Sequence, residues 1–292
     1  MKIALFGRNF NESFNNVIND LFSKLKNQKV SLLAFEPFSQ YLLKEKKFAF
    51  QFDDTFSNYE ELPSDTDFLI SIGGDGTFLE AITIIRDSGV PIVGINAGRL
   101  GFLANIASGN VASALDHLID GQYCIEERSL VHFFSSEMIF SDFPFALNEI
   151  TLQKTGSSLV SFQVYINNEY LTTYWSDGLI ISTPTGSTAY SLSLGGPLVT
   201  PESDIFIITP IAVHNLNVRP LVIPENSVLK ITVSGRTDQY LATLDSRAAK
   251  FSLNNEITIR KAKYKIKIIK LPDISFYTTL RNKLMWGADK RN

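Results

Sequence analysis

Residues 68–77 read Phe68-Leu69-Ile70-Ser71-Ile72-Gly73-Gly74-Asp75-Gly76-Thr77, an apolar strand running straight into three glycines that bracket one carboxylate. Glycine tolerates positive φ and lets a backbone approach a ligand closely, while main-chain N–H groups and a helix beginning near Thr77 supply partial positive charge. The turn therefore suits phosphate. Asp75 runs against that charge. In a bare anion cradle it would repel phosphate, so it implies either a metal ion that inverts the local electrostatics or a base aimed at a hydroxyl. The alternative is a plain strand-to-helix turn with an Asp cap, which needs no flanking glycines.

On either side of this stretch, short apolar strands alternate with helical patterns. Residues 3–6 form a strand, Phe14, Val17, Ile18, Leu21, Phe22 and Leu25 recur at helical spacing, and residues 30–35 form another strand. The alternation continues with a helix over about 77–88 stopped by Gly89, a strand over 90–95, and a helix over 111–119 closed by Gly121. This βαβ series predicts a doubly wound parallel sheet. Ligands in such sheets sit beyond the carboxyl ends of strands, and both residues 73–77 and the loop Asn96-Ala97-Gly98-Arg99-Leu100-Gly101-Phe102 lie there.

Near residue 125 the pattern changes to short strands rich in β-branched residues. Residues 159–166, an Asn167-Asn168 turn and residues 170–175 read as a hairpin. Further strands are expected at 150–154, 178–182, 205–208, 228–233, 256–261 and 264–271. The fold class is thus α/β, with an N-terminal doubly wound parallel domain over 1–124 and a β-rich, mainly antiparallel C-terminal domain over 125–271. The tail over 272–292 is expected to pack back on the first domain, its apolar Leu280 and Leu284 inward and the bases Arg281 and Lys283 snorkelling.

The chain has 292 residues, 45% of them apolar, and a net charge of −3 with dispersed Lys and Arg, which is ample for buried cores and argues against a general nucleic-acid surface. The lone Cys124 allows no internal disulfide and is read as a buried, inert thiol. No apolar run is long enough to span a bilayer, so a soluble, cytoplasmic protein is expected, without a membrane partner.

A second loop carries polar chemistry. Thr183-Pro184-Thr185-Gly186-Ser187-Thr188-Ala189-Tyr190-Ser191 follows the strand at 178–182 and offers hydroxyls and N–H groups to ribose and phosphate oxygens, with Tyr190 facing a base. A short helix ending at Gly195-Gly196-Pro197 follows, and the alternative is a polar surface loop. Asp177 and the pair Asn148-Glu149 precede strands, where they can hold ribose hydroxyls or act as caps and turns.

Residues 73–77, Asn148-Glu149, and residues 183–190 with Gly195-Gly196-Pro197, in this order and spacing, closely resemble the NAD kinase family. The resemblance extends over nearly the whole chain, including the loop at 96–103, Asp177-Gly178, Thr209-Pro210-Ile211 leading to His214, and the tail at 280–287. The first motif also occurs in diacylglycerol and sphingosine kinases and in phosphofructokinases; the second narrows the likeness to NAD kinase. The family implies transfer of phosphate from ATP to the adenosine ribose 2′-hydroxyl of NAD, active sites near the junction of the domains, Mg²⁺ or another divalent cation, and a homodimer or homotetramer. By the same resemblance Asp75 is the base or helps organise the metal, and Gly73, Gly74, Gly76 and Thr77 hold nucleotide phosphates. Phe102 stacks near adenine, Asn148 and Glu149 hold adenine and ribose groups, and Asp177, Thr188, Ala189, Tyr190 and Ser193 line the remaining dinucleotide contacts. For Phe102 ordinary core packing is the alternative, and for His214 a hydrogen-bonded structural role.

Two departures from the family stand out. Family members commonly follow the late aspartate with Gly-Gln, whereas this chain reads Leu244-Asp245-Ser246-Arg247, placing Arg247 either on the product's new phosphate or on a surface turn. Trp175 stands where relatives carry Arg. Two other functions remain open: a lipid or sugar kinase, which needs an apolar channel or sugar-sized pocket, and a non-catalytic nucleotide-binding regulator, which predicts a lost aspartate or broken glycines.

Overall fold

The structure, a computed structural model, describes residues 1–46, 48, 50–98, 100–236, 239–252 and 256–287. Arg99 in the loop after residue 96, and the end of the tail, lie outside the described residues. The chain forms two compact units, Met1–Glu127 with Ile266–Asn292, and Arg128–Lys265.

In the first unit β1 (Lys2–Gly7), α1 (Asn15–Lys26), β2 (Ser31–Phe35), α2 (Glu36–Lys44), β3 (Asp54–Phe56), β4 (Phe68–Gly73), α3 (Asp75–Ile85), β5 (Ile92–Asn96) and α4 (Val111–Ile119) follow in order. The strands lie in the order β5-β4-β1-β2-β3 with every pairing parallel, and the end of the chain's last strand joins beside β5 through Ile268 and Ile92. Because these strands are covered on both faces, their residues are continuously buried, as in Ile3, Ala4, Leu5 and Phe6. The direction of winding reverses between β1 and β4, so the crevice of this unit opens beyond Gly7 and Gly73. Phe6, Phe38, Phe56, Phe68 and Phe78 are fully buried beneath the helices, each contributing roughly 1.5–3 kcal/mol by leaving water.

α2 follows β2 without a loop and carries Pro37 in its first turn, where the missing N–H costs nothing; Phe38, Tyr41 and Leu42 form its buried face. α3 differs from expectation at both ends. It begins at Asp75, with Gly74 as cap, and stops at Ile85 because Arg86 adopts a left-handed φ of 43° while its Nε donates to the Thr83 carbonyl.

In the second unit the chain continues as β6 (Cys124–Phe134), β7 (Phe145–Ala146), β8 (Glu149–Lys154), β9 (Val160–Ile166), β10 (Glu169–Trp175), β11 (Gly178–Ser182), α5 (Tyr190–Ser193), β12 (Ile205–Ile211), β13 (Leu221–Pro224), β14 (Leu229–Gly235), β15 (Gln239–Leu244) and β16 (Arg247–Ser252). β17 (Glu256–Lys270) leads out of it into the first unit, which α6 (Phe276–Leu284) completes. One antiparallel sheet runs β13-β12-β11-β8-β15-β16, and a second antiparallel set joins β10, β9, β14 and the start of β17. Their apolar faces share one core, with Ile150, Leu179, Ile181, Phe206 and Tyr240 from the first set and Phe162, Val164, Ile231 and Ile257 from the second. The β9–β10 hairpin turns on Asn167 and Asn168, both at positive φ of 51° and 68°, the conformation Asn tolerates best after glycine.

Three expectations are corrected. Strands at 256–261 and 264–271 are one strand, Glu256–Lys270, in which the alternate burial of Ile257 and Ile259 shifts phase at Ala262 and resumes at Ile266 and Ile268 without a break in the strand. β3, β6, β7, β13, β15 and β16 are additional. Cys124 is exposed, since it opens β6, whose first residues lie at the surface before the strand enters the core at Leu130. No helix among the described residues is long and apolar enough to cross a membrane.

Candidate active site

In the first unit the glycine turn and the loop after β5 are knitted together. β4 and β5 are adjacent and parallel, and the Ala97 N–H donates to the Gly73 carbonyl at 3.0 Å. A Cβ on Gly73 would lie 2.6 Å from Cβ of Thr77, so only glycine lets the helix begin there. Gly74 and Gly76 are exposed and face open space, which leaves their backbone approachable. The first helical hydrogen bond runs from the Phe78 N–H to the Gly74 carbonyl, so the N–H groups of Asp75, Gly76 and Thr77 have no partner within α3.

The Asp75 carboxylate does not cap its own helix. Oδ1 accepts from the Leu103 and Ala104 N–H groups at 3.0 and 2.9 Å, and Oδ2 accepts from the Phe102 N–H at 2.9 Å. The aspartate thus fixes residues 102–104, with the Asn96 side chain assisting by donating to the Ala104 carbonyl and accepting from the Gly98 N–H. Phe102 is half-buried, its ring 6.3 Å from that of Phe276. Lys283, at the end of α6, places Nζ 4.6 Å from the Phe102 ring centre and 3.4 Å from Asp75 Oδ2, so this base has a partner rather than merely snorkelling. At the carboxyl end of β1, Arg8 pairs with Glu80 on α3 and lies over the rings of Phe6 and Phe35.

In the second unit Asn148 and Glu149 sit where β8 begins, both buried at 8% exposure. They are organised by Asp245, which occupies the β15–β16 turn at a φ of 53° and accepts from the N–H groups of Leu147, Asn148 and Glu149 at 2.9, 2.8 and 3.3 Å. The two carboxyl groups interact. Burial, then the neighbouring Asp245 charge, push Glu149 up to about 8, against the pull of the Tyr190 backbone N–H. Burial also raises Asp245 against its three N–H donors. Glu149 Oε2 is buried without a protein partner, which adds to the cost of a negative charge there.

The hydroxyl-rich loop stands against this pair. The Asn148 carbonyl accepts from the Thr183 N–H at 2.9 Å, and a Cβ on Gly186 would lie 2.6 Å from the Asn148 carbonyl carbon and nearer still to its oxygen. Most of the loop's hydroxyls are engaged within the protein. Thr183 Oγ1 donates to the Leu147 carbonyl at 2.6 Å and accepts from the Gly186 N–H, while Ser187 bridges to Val199. Thr188 Oγ1 donates to the Thr185 carbonyl, and Ser191 bonds Thr209. The hydroxyls hold the loop's shape, and its outward elements are Ala189, Tyr190, Ser193 and Thr188 at the end of a 3-10 turn.

Asp177 forms an ion pair with Lys154 at 2.5 Å. Arg247 is half-buried; it donates to the carbonyls of Phe143 and Phe145 and lies 4.9 Å over the Phe143 ring. His214 is exposed, its N–H bonded to the Trp175 carbonyl. Sequence reasoning did not foresee the organising part of Asp245 or the reach of Lys283; the aspartate's place in a two-residue turn before Arg247 was the available signal for the first.

Comparison with known proteins places these features in context. The family model for the ATP-NAD kinase N-terminal domain matches residues 12–123, and that for the C-terminal domain matches residues 147–271. The chain is 47% identical to the NAD kinase of Flavobacterium psychrophilum over 295 residues, covering 100% of each chain. It is 37% identical to the NAD kinase of Porphyromonas gingivalis, covering 99% of each. In fold it resembles yeast NADH kinase solved with NADH, with a TM-score of 0.83 at 20% identity over 99% of this chain and 88% of that one. It also resembles an NAD kinase from Archaeoglobus fulgidus solved with ATP, with a TM-score of 0.73 at 24% identity over 98% and 99%.

Proposed function

This chain belongs to the ATP-NAD kinase family, and from that premise we propose how its own residues phosphorylate NAD to NADP. The observation that carries the reading is the placement of Asp75 at the first position of α3, beside exposed glycines and at the carboxyl end of β4. The unpartnered N–H groups of residues 75–77 and the helix N-terminus bind donor phosphates, with Gly73, Gly74, Gly76 and Thr77 shaping the cradle. Asp75 Oδ2 accepts the proton of the adenosine ribose 2′-hydroxyl as that oxygen bonds the terminal phosphorus of ATP. The bond from phosphorus to the bridging oxygen breaks, and ADP departs with the electron pair. Because Asp75 is tied to three backbone N–H groups, its position is set before substrate arrives, which is what phosphoryl transfer asks of a protein.

NAD is held by Asn148, Glu149, Asp177, Thr188, Ala189, Tyr190 and Ser193, with Phe102 beside adenine. The neutral Glu149 offers a hydrogen-bond donor as well as acceptors, which suits ribose or adenine groups. Mg²⁺ or another divalent cation accompanies ATP, where it neutralises phosphate charge. Asp75, the carboxylate of the glycine turn, is the residue that would help hold such an ion, and the ion would supply charge neutralisation on the donor phosphates. The family resemblance supports a homodimer or homotetramer, with exposed Tyr170 and Trp175 on β10 among the apolar side chains it would cover, and a cytoplasmic protein; the net charge of −3 supports a chain without nucleic-acid partners.

The deciding experiment is NADP formation from NAD, ATP and Mg²⁺, followed with a coupled NADP-specific dehydrogenase. Wild-type turnover that falls by roughly 10²–10⁴ in Asp75→Asn while NAD still binds is the expected result. Turnover unchanged by the substitution would remove Asp75 from the chemistry. No turnover by the wild type, with polyphosphate and NADH also tried, would overturn the kinase reading.

A further inference from the structure

The partners of Asp75 are unequal. Three are backbone N–H groups at 2.9–3.0 Å, fixed by the fold. The fourth is the Lys283 ammonium at 3.4 Å, beyond the usual length of a charge-assisted bond, and it belongs to a side chain that is 32% exposed. A carboxylate has about four acceptor positions, so the ammonium occupies the position on Oδ2 that a hydroxyl proton would need. Its stem rises from α6, which is anchored by buried Thr279 and Leu280 and capped by Ser275 through the Thr278 N–H, and the ammonium also rests on the face of Phe102. The ammonium carries three donors, one directed at Asp75.

We propose that Lys283 is a phosphate-binding residue of the transfer site, which serves as the counter-ion of Asp75 in this structure and turns onto the transferring phosphoryl group when ATP is bound. This inference rests on the kinase reading above. A carboxylate and a terminal phosphate brought together at the start of α3 repel each other, and a cation on a flexible stem beside both relieves that repulsion. Turning away from Oδ2 frees the acceptor position that takes the 2′-hydroxyl proton. Lys283 transfers no proton in the step; the bond made is oxygen to phosphorus and the bond broken is phosphorus to the oxygen of ADP. Phe102, lying beneath the ammonium, supplies a surface that stabilises the cation in either orientation.

The test compares Lys283→Met, Lys283→Gln and Lys283→Arg with Arg281→Met, a control on the same helix whose guanidinium reaches only as far as Thr278 at 3.4 Å. Turnover, the KM for each substrate, and binding of Mg-ATP and of tripolyphosphate by calorimetry are measured on the full chain, with thermal melts as a check on folding. Losing a charge-assisted contact predicts that Met and Gln weaken ATP and tripolyphosphate by about tenfold or more and lower kcat by at least as much. The KM for NAD stays within about twofold, Arg restores part of both losses, and Arg281→Met matches wild type within about twofold. ATP binding and kcat within twofold of wild type in both neutral variants would overturn the proposal. So would equal losses in all four variants, which would assign α6 a packing role alone. If the wild type makes no NADP, the kinase reading fails, and the two binding measurements still decide whether Lys283 holds phosphate.

Discussion

A Cβ placed on Gly101 would lie 2.6 Å from Cγ of Asp75 and nearer still to Oδ1. The loop after β5 therefore closes on the aspartate only because residue 101 has no side chain. Gly101→Ala is expected to displace the N–H groups of Phe102, Leu103 and Ala104 from the carboxylate, costing about 1–3 kcal/mol of stability and at least about tenfold in kcat. Urea denaturation and steady-state kinetics check this; kcat within threefold of wild type would show that the loop can move without harm to the aspartate.

Glu149 gives the protein a defined pH dependence. Its carboxyl stands at about 8 in the folded chain against an ordinary value of 4.5, so between these values the native state keeps a proton that the unfolded chain has lost. Stability therefore falls as pH rises from about 4.5 through about 8 and levels off above. Glu149→Gln, uncharged at every pH, should flatten this decline, melting higher than wild type near pH 9 and no higher near pH 5. Parallel melting curves for the two proteins across that range would show that Glu149 is ionised in the fold.

Thr183 ties the hydroxyl-rich loop to β8, its hydroxyl bonded to the Leu147 carbonyl and the Gly186 N–H with no exposed surface. Thr183→Val keeps the shape and removes both bonds, with an expected loss of about 1–3 kcal/mol and weaker NAD binding, while Thr183→Ser retains most of each. Chemical denaturation and NAD titration separate the outcomes; a Val variant as stable as wild type would mean the loop finds other partners.

Arg247 is committed to the carbonyls of Phe143 and Phe145. Arg247→Ala is accordingly expected to lower stability by about 1–3 kcal/mol and to change NAD and NADP affinity by the same factor. Titration of both nucleotides tests this, and a loss confined to NADP would show that the guanidinium reaches the new phosphate.

What could be read from the chain and what could not have physical causes. Strands buried on both faces appear as unbroken apolar runs, which is why residues 68–72 announce the parallel layer, and the glycines around Asp75 are adjacent in sequence, so their turn is visible at once. α2 is hidden because Glu36 and Pro37 follow a strand with no intervening turn residues. β15 and β16 are hidden because β16 buries only Phe251 and their joining turn lacks glycine, Asp245 taking positive φ instead. The roles of the loop hydroxyls depend on partners at Leu147, Val199 and Thr209, which no local pattern reveals. Lys283 meets Asp75 across 208 positions of sequence, a relation that only the fold supplies.

β17 has a consequence for synthesis. The first unit needs residues 266–270 beside β5 and α6 beyond them, both made after the whole of residues 128–265. While the ribosome is still at work, residues 1–127 have their parallel strands but lack this edge and the base that meets Asp75, whereas residues 128–265 form an uninterrupted span. The order of completion is thus inverted: the part begun first is finished last, and a nascent chain stalled before residue 283 would carry the aspartate without its lysine.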